Sequence, residues 1–201
     1  METELAGYLV GYDTDVWIDV PLHFPEQDWA TRDDWARDVA ERTGREMPEP
    51  ETTIGRFYET AREIAAFSVP DAAKRFWYFP VAGSFLSVAH LYTASRAELG
   101  EASLEDCAGS AESSLTVPVV AEIESDGFGR LVRVLSTTSL EQEDGSNRVV
   151  GCARLVGEAA GHVFLLEVID DNLGRIALML DDLKALMEAI RIVPAEESQT
   201  R

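Results

Sequence analysis

The stretch that most restricts what this chain can fold into is His162–Val193. Within it Val163-Phe164-Leu165-Leu166-Glu167-Val168-Ile169 is an almost unbroken apolar run, short and β-branched enough to form a strand with both faces largely covered. Asp170, Asp171 and Asn172 follow. They offer carboxylate and amide oxygens where a helix presents unpaired N–H groups and the positive end of its dipole. The predicted helix carries Ile176, Met179, Leu180, Leu183, Leu186, Met187 and Ile190 on one stripe, while Arg175, Asp181, Lys184, Glu188 and Arg191 fall elsewhere. Such a stripe has to lie against a sheet. Leu178, Ala185 and Ala189 sit off its centre and read as the edge of the core or, alternatively, as a contact with a second element or partner.

Upstream, Val16, Ile18 and Val20 alternate with Trp17 and Asp19, the period of a strand, and Pro21 and Pro25 close it. Thr31 is placed to cap a helix through about Arg42, with Gly44 as its stop, and Thr52 or Thr53 opens a second one. This helix pair spans about 31–67. Arg75-Phe76-Trp77-Tyr78-Phe79 and Phe85–Thr93 read as a hairpin. Ser103-Leu104-Glu105-Asp106 has the spacing of a capping box and predicts a helix to about Ser113. A meander follows, Val117–Ile123, Leu131–Leu140 and Val149–Val156, with turns at Asp126-Gly127 and Asp144-Gly145, and Gly157–Gly161 leads into the last strand. The fold class expected is α+β: a mostly antiparallel sheet covered by helices on both faces, with the C-terminal helix packed on it. With no Gly/Ser/Pro-rich linker, a single domain over 1–201 is expected, and the tail 194–201 reads as disordered.

The element order is a Trp-bearing strand running into a proline (Val16-Trp17-Ile18-Asp19-Val20-Pro21), the strand Phe85–Thr93, a short helix, a meander, then a strand and helix ending Leu186-Met187-Glu188-Ala189-Ile190-Arg191-Ile192-Val193. In this order the chain resembles the Mog1/PsbP-like α/β/α sandwich group, including its actinobacterial lipoprotein branch, over roughly residues 8–22 and 74–193. The resemblance implies that sandwich fold and no functional residue, because members of the group do unrelated things. The helix pair between the first two matched segments is large for the group, and the lipid-attachment cysteine of the lipoproteins is absent.

Composition narrows the classes of function. Hydrophobic residues at 46% and charged residues at 27% are the proportions of a globular protein. No run approaches the roughly 18 apolar residues of a membrane span, and Met1-Glu2-Thr3-Glu4 lacks the basic start of a signal peptide, so a cytoplasmic location is expected. Acidic residues number 37 against 17 basic ones, a formal charge of -20. This acidity is dispersed and serves solubility, but it also repels phosphate backbones and anionic headgroups. Nucleic acid and membrane surfaces are therefore disfavoured, and a basic protein partner is favoured. All the basic residues but Lys74 and Lys184 are arginine, which suggests a GC-rich or salt-adapted bacterial genome. Cys107 and Cys152 lie far apart and are expected to be reduced, Cys152 as a small buried hydrophobe.

Catalytic patterns are sparse. His23, His90 and His162 stand alone, without a second histidine or cysteine at zinc-ligand spacing. Asp13-Thr14-Asp15 has the form of a divalent-metal dipeptide motif, yet so short a pattern arises often in an acidic chain; Asp170-Asp171-Asn172 is explained by capping. Gly127-Phe128-Gly129 opens a strand rather than a helix and so presents no N–H cradle to a phosphate. Alternation along the aromatic strand sets Phe76 and Tyr78 opposite Trp77 and Phe79. Either the helix pair covers the second face, with Trp29 and Trp35 contributing, or Trp77, Phe79, Trp29 and Trp35 form an exposed binding surface. The sequence reads as a non-catalytic protein-binding module for a basic partner, of adaptor, chaperone or immunity type, with no cofactor and no metal. A carrier of a small apolar ligand, drawing on Trp77, Phe79, Phe85 and the Met179/Met187 stripe, is the alternative, followed by an enzyme whose site assembles in space.

Overall fold

The computed structural model describes residues 5–45, 47, 49–79, 87–109, 114–141 and 145–194. In chain order the first elements are β1 (Leu5–Val10), β2 (Trp17–Asp19), α1 (Arg32–Gly44), α2 (Pro50–Ala66), β3 (Lys74–Tyr78), β4 (Val88–Ser95), α3 (Arg96–Leu99) and α4 (Leu104–Cys107). Then come β5 (Val119–Ile123), β6 (Leu131–Glu141), β7 (Asn147–Ala159), β8 (His162–Asp170), α5 (Leu173–Glu188) and β9 (Ile190–Pro194). The class is mixed α/β with a large antiparallel sheet, consistent with the α+β expectation. The chain divides into two compact units, Thr14–His90 and Met1–Asp13 with Leu91–Arg201. One boundary lies beside the turn at 14–16 and the other inside β4, so no change of composition marks either.

In the Thr14–His90 unit, β2 and β3 pair antiparallel, Trp17 opposite Tyr78 and Asp19 opposite Phe76. Thr31 caps α1 in a capping box: its hydroxyl accepts from the Asp34 N–H at 3.2 Å, and the Asp34 carboxylate accepts from the Thr31 N–H at 3.0 Å. α1 ends at Gly44, where a stop is expected; a Cβ there would stand 2.6 Å from Ile54 Cγ1, where α1 and α2 approach. α2 starts at Pro50, ahead of the predicted threonines, since proline suits the first turn of a helix. The Arg75 guanidinium, 2% exposed, is held by carbonyls alone: it donates to Phe67 O at 2.5 Å and to Pro21 O, and its Nε meets no partner among the described residues. Burial pushes its pKa down, against a smaller upward pull from Asp19.

In the second unit, β8, β7, β6 and β5 form consecutive antiparallel pairs. α5 packs on β7 and β8; on the other face Leu104 and Ala108, from α4 and its C-cap, cluster with Val132, Val134, Val156 and Val163. The β7–β8 turn is only Ala160-Gly161, both at positive φ (49° and 75°), which matches the twist of a tight hairpin. Gly157, predicted to be in that turn, is instead inside β7, between Leu131 and Phe164. Its lack of a side chain makes room for the Phe128 ring, whose Cδ1 would be 2.6 Å from a Cβ.

Three further elements depart from expectation. α5 ends at Glu188, and Ile190-Arg191-Ile192-Val193 continues as β9, paired antiparallel with β1; three β-branched residues in four favour the extended chain. The helix predicted from Ser103 keeps its capping box but lasts only to Cys107, with Gly109 at φ 60° after it; 110–113 lie outside the described residues. α3, capped by Ser95 through Glu98, was not anticipated. Pro194 closes β9, and the expectation of a disordered tail otherwise falls on residues outside those described, as do Phe85 and the connection after Phe79.

Gly157→Ala should therefore lower stability by roughly 1–3 kcal/mol, the usual cost of overpacking. Gly129→Ala, whose Cβ would meet nothing within 4 Å, should be close to neutral. Urea unfolding of the two variants checks this, and equal midpoints would refute it.

Candidate functional site

Helix width and strand spacing create the site. A packed helix is about 10 Å across and neighbouring strands lie about 4.8 Å apart, so one helix covers roughly two strands. α5 takes β7 and β8, and no helix among the described residues packs on the same face of β6 and β5. It comes down closely on β7 because residue 151 is glycine: a Cβ there would lie 2.3 Å from Leu173 Cδ2 and 2.6 Å from Ile176 Cδ1.

Between α5 and the uncovered strands runs an open groove of about 240 Å³. Leu173, Ile176 and Leu180 form its helical wall, and Val117, Val119 and Leu135 its sheet wall, Val119 standing opposite Leu135. The approach to β5 is pinned to β6: Leu115 N–H donates to Thr137 O at 2.8 Å, Ser114 Oγ to Thr116 O at 2.6 Å, and the Thr116 and Thr137 hydroxyls meet at 3.0 Å. Even so, Val117 is 90% exposed, Val119 61% and Leu173 57%. Among the described residues β5 is an edge strand, so alternate residues turn their N–H and C=O groups outward with no described neighbour. It carries no Lys or Arg to blunt that edge.

At the far end of β5 a second groove, about 450 Å³, is lined by Glu122, Ile123, Glu124, Ser125, Phe128, Gly129 and Arg130. Arg130 binds Glu122 at 2.9 Å and Glu105 at 2.6 Å. Those hydrogen bonds push its own pKa up, and its bond to Glu105 is the first cause of that carboxyl's lowered pKa. Glu122, Glu124 and Asp126 are exposed, so carboxylates outnumber the one guanidinium here. A third cavity, about 440 Å³, holds Arg96, but Glu158 at 2.6 Å and Ala102 O at 2.7 Å occupy that guanidinium.

The sequence candidates are placed elsewhere. Trp77 and Trp35, each 1% exposed, and Phe79 at 9% are buried in the core of the Thr14–His90 unit with Phe57, and half-buried Trp29 packs against it. Phe79 and Phe57 meet edge-on at 5.1 Å. The structure therefore places these four in or against a core, not on an open surface. Met179 and Met187 are likewise fully buried. His23 is exposed, His90 and His162 half-buried. No group of metal-ligating side chains occurs among the described residues. Asn172 caps α5, its Oδ1 accepting from Arg175 N–H at 3.2 Å, while Asp170 Oδ1 accepts from Asn172 N–H at 2.7 Å. Both cysteines are free. The sequence reading took Val117 and Val119 only as part of a strand. Its available signal was the run Val117-Pro118-Val119-Val120, apolar without alternation, which fits either a central strand or a bare edge; only strand order decides between them.

No protein-family model matches the chain, and no curated protein matches it in sequence.

Cys152 also lines the apolar groove, but alternation along β7 turns its side chain away from α5, toward Arg154 and Glu167: Arg154 Nε donates to Glu167 Oε2 at 2.6 Å, and Cys152 Sγ lies 3.8 Å from the same oxygen. Burial, with a smaller contribution from Glu167, pushes its pKa up to about 12, so the unreactive thiol persists at neutral pH. Ellman's reagent at pH 8 should leave Cys152 unmodified in the native protein and react with it in denaturant; a modified Cys152 peptide from native protein would contradict this.

Proposed function

We propose that this chain is a non-catalytic protein-binding module, of adaptor, chaperone or immunity type, for a basic partner. The observation that carries the reading is the strip of exposed apolar side chains, Leu115, Val117, Val119 and Leu173, around an open groove on a chain of net charge -20. Apolar side chains gathered at one place on a charged surface mark a contact site. Acidity then selects the partner, because another copy of this chain brings the same charge and is repelled, whereas a basic protein is attracted. The Mog1/PsbP-like sandwich and a cytoplasmic location belong to the same proposal. No helix among the described residues is long and apolar enough to cross a membrane.

A carrier of a small apolar ligand is the second reading, favoured by the lining of Leu173, Ile176, Leu180, Val119 and Leu135. The groove's roughly 240 Å³ falls below the about 300–1,000 Å³ of typical ligand pockets, and its openness suits a protruding side chain better. Native mass spectrometry separates the two, since a carrier purified gently would retain a bound mass.

Tagged protein incubated with lysate of its own cells should retain a stoichiometric basic protein at low salt and release it near 1 M salt, where the screening length shrinks to about 3 Å. The Val117→Asp/Val119→Asp double variant should not retain it. Equal capture by that variant would show that the apolar strip takes no part in binding.

A further inference from the structure

We propose that the partner is engaged by strand addition: an extended, basic segment pairs with the free edge of β5 and carries an apolar residue and a Lys or Arg three positions apart. This rests on the protein-binding reading above and specifies its geometry. The unpaired edge of β5 connects two grooves of opposite character. The apolar one lies at Val117 and Val119, and the acidic one at Glu122 and Glu124.

Alternation along the strand fixes the spacing. Val119 pairs with Leu135 and shares its face, the one turned to α5. Glu122 lies three residues on and so points to the opposite face, where Arg130 links it to Glu105 of α4. A residue laid directly across from a β5 residue projects to the same face as that residue. One side chain of an added strand would thus enter the apolar groove. A second, an odd number of positions away and roughly 10 Å along the strand, would reach Glu122. The edge supplies main-chain hydrogen bonds and the two grooves supply selectivity, as in other strand-addition complexes. Charge names the occupant: Glu122, Glu124 and Asp126 are exposed along the segment leaving β5, and Arg130 is already committed to Glu122 and Glu105.

The test uses the full chain and fluorescein-labelled ten-residue peptides of a Thr background holding one Val and one Lys, read by anisotropy at low salt. Spacing of three should bind at least about tenfold more tightly than spacing of four, a difference of about 1.4 kcal/mol, and replacing the Lys by Glu should abolish binding. N-methylation of every second peptide nitrogen should weaken binding about tenfold in one register, where main-chain hydrogen bonds are lost, and leave the other register nearly unchanged. Glu122→Lys, at an exposed side chain, should invert the preference to the Glu peptide while the circular dichroism spectrum stays that of the parent. Equal effects of the two methylation registers overturn strand addition, and indifference to spacing overturns the pairing of the grooves. If these peptides fail while salt-released capture still depends on Val117 and Val119, strand addition falls and the protein-binding reading survives. If capture is also indifferent to those valines, both fall.

Discussion

One helix cannot cover four strands, and this mismatch shapes the Leu91–Arg201 unit. α5 is drawn onto β7 and β8 by Ile176, Met179, Leu183, Leu186 and Met187, and it settles where Gly151 leaves room for Leu173 and Ile176. Once it is there, the α5 side of β6 and β5 has no helix among the described residues to bury Val119 and Leu135. α4 serves the other face, over Val132, Val134 and Val156. The apolar groove is thus a by-product of packing that is otherwise complete. A bare strip of this kind costs solubility and invites aggregation at the edge strand; a binding role is a physical reason for a chain to keep it.

The Thr14–His90 unit spends its aromatic side chains differently. Trp77 of β3 and Phe79, just beyond its end, pack onto Phe57 of α2, and Trp35 of α1 completes that core. Arg75, on the same strand, joins Phe67 at the end of α2 to Pro21 after β2, so a cation supplies the donors that a helix C-terminus lacks. These residues carry chemical character that attracts attention in a sequence, but their geometry shows a structural role.

Much of the fold was legible because local chemistry and tertiary packing agreed. Thr31 with Asp34, and Asn172 before Arg175, are capping residues that formed their bonds, and the stripe from Ile176 to Met187 faces the core as its period requires. Legibility failed where local signals favour two outcomes. Ile190–Val193 continues a helical stripe and is also β-branched; pairing with β1 decided for the strand. Gly157 looks like a turn residue, but the Phe128 ring is what demands it. The exposed apolar strip is the least legible part. A valine at 119 reads the same in a central strand and at an edge, and strand order is a property of long-range pairing that no local pattern encodes.

The proposed binding strip runs from Leu115 to Ile123 and takes in the first turns of α5. Hydrogen–deuterium exchange of the chain alone and in complex with its salt-released partner is the decisive measurement. Exchange should slow at amides 115–123 and 173–180, with little change in Thr14–His90. Protection confined to Thr14–His90, or a complex with no change at β5, would contradict it.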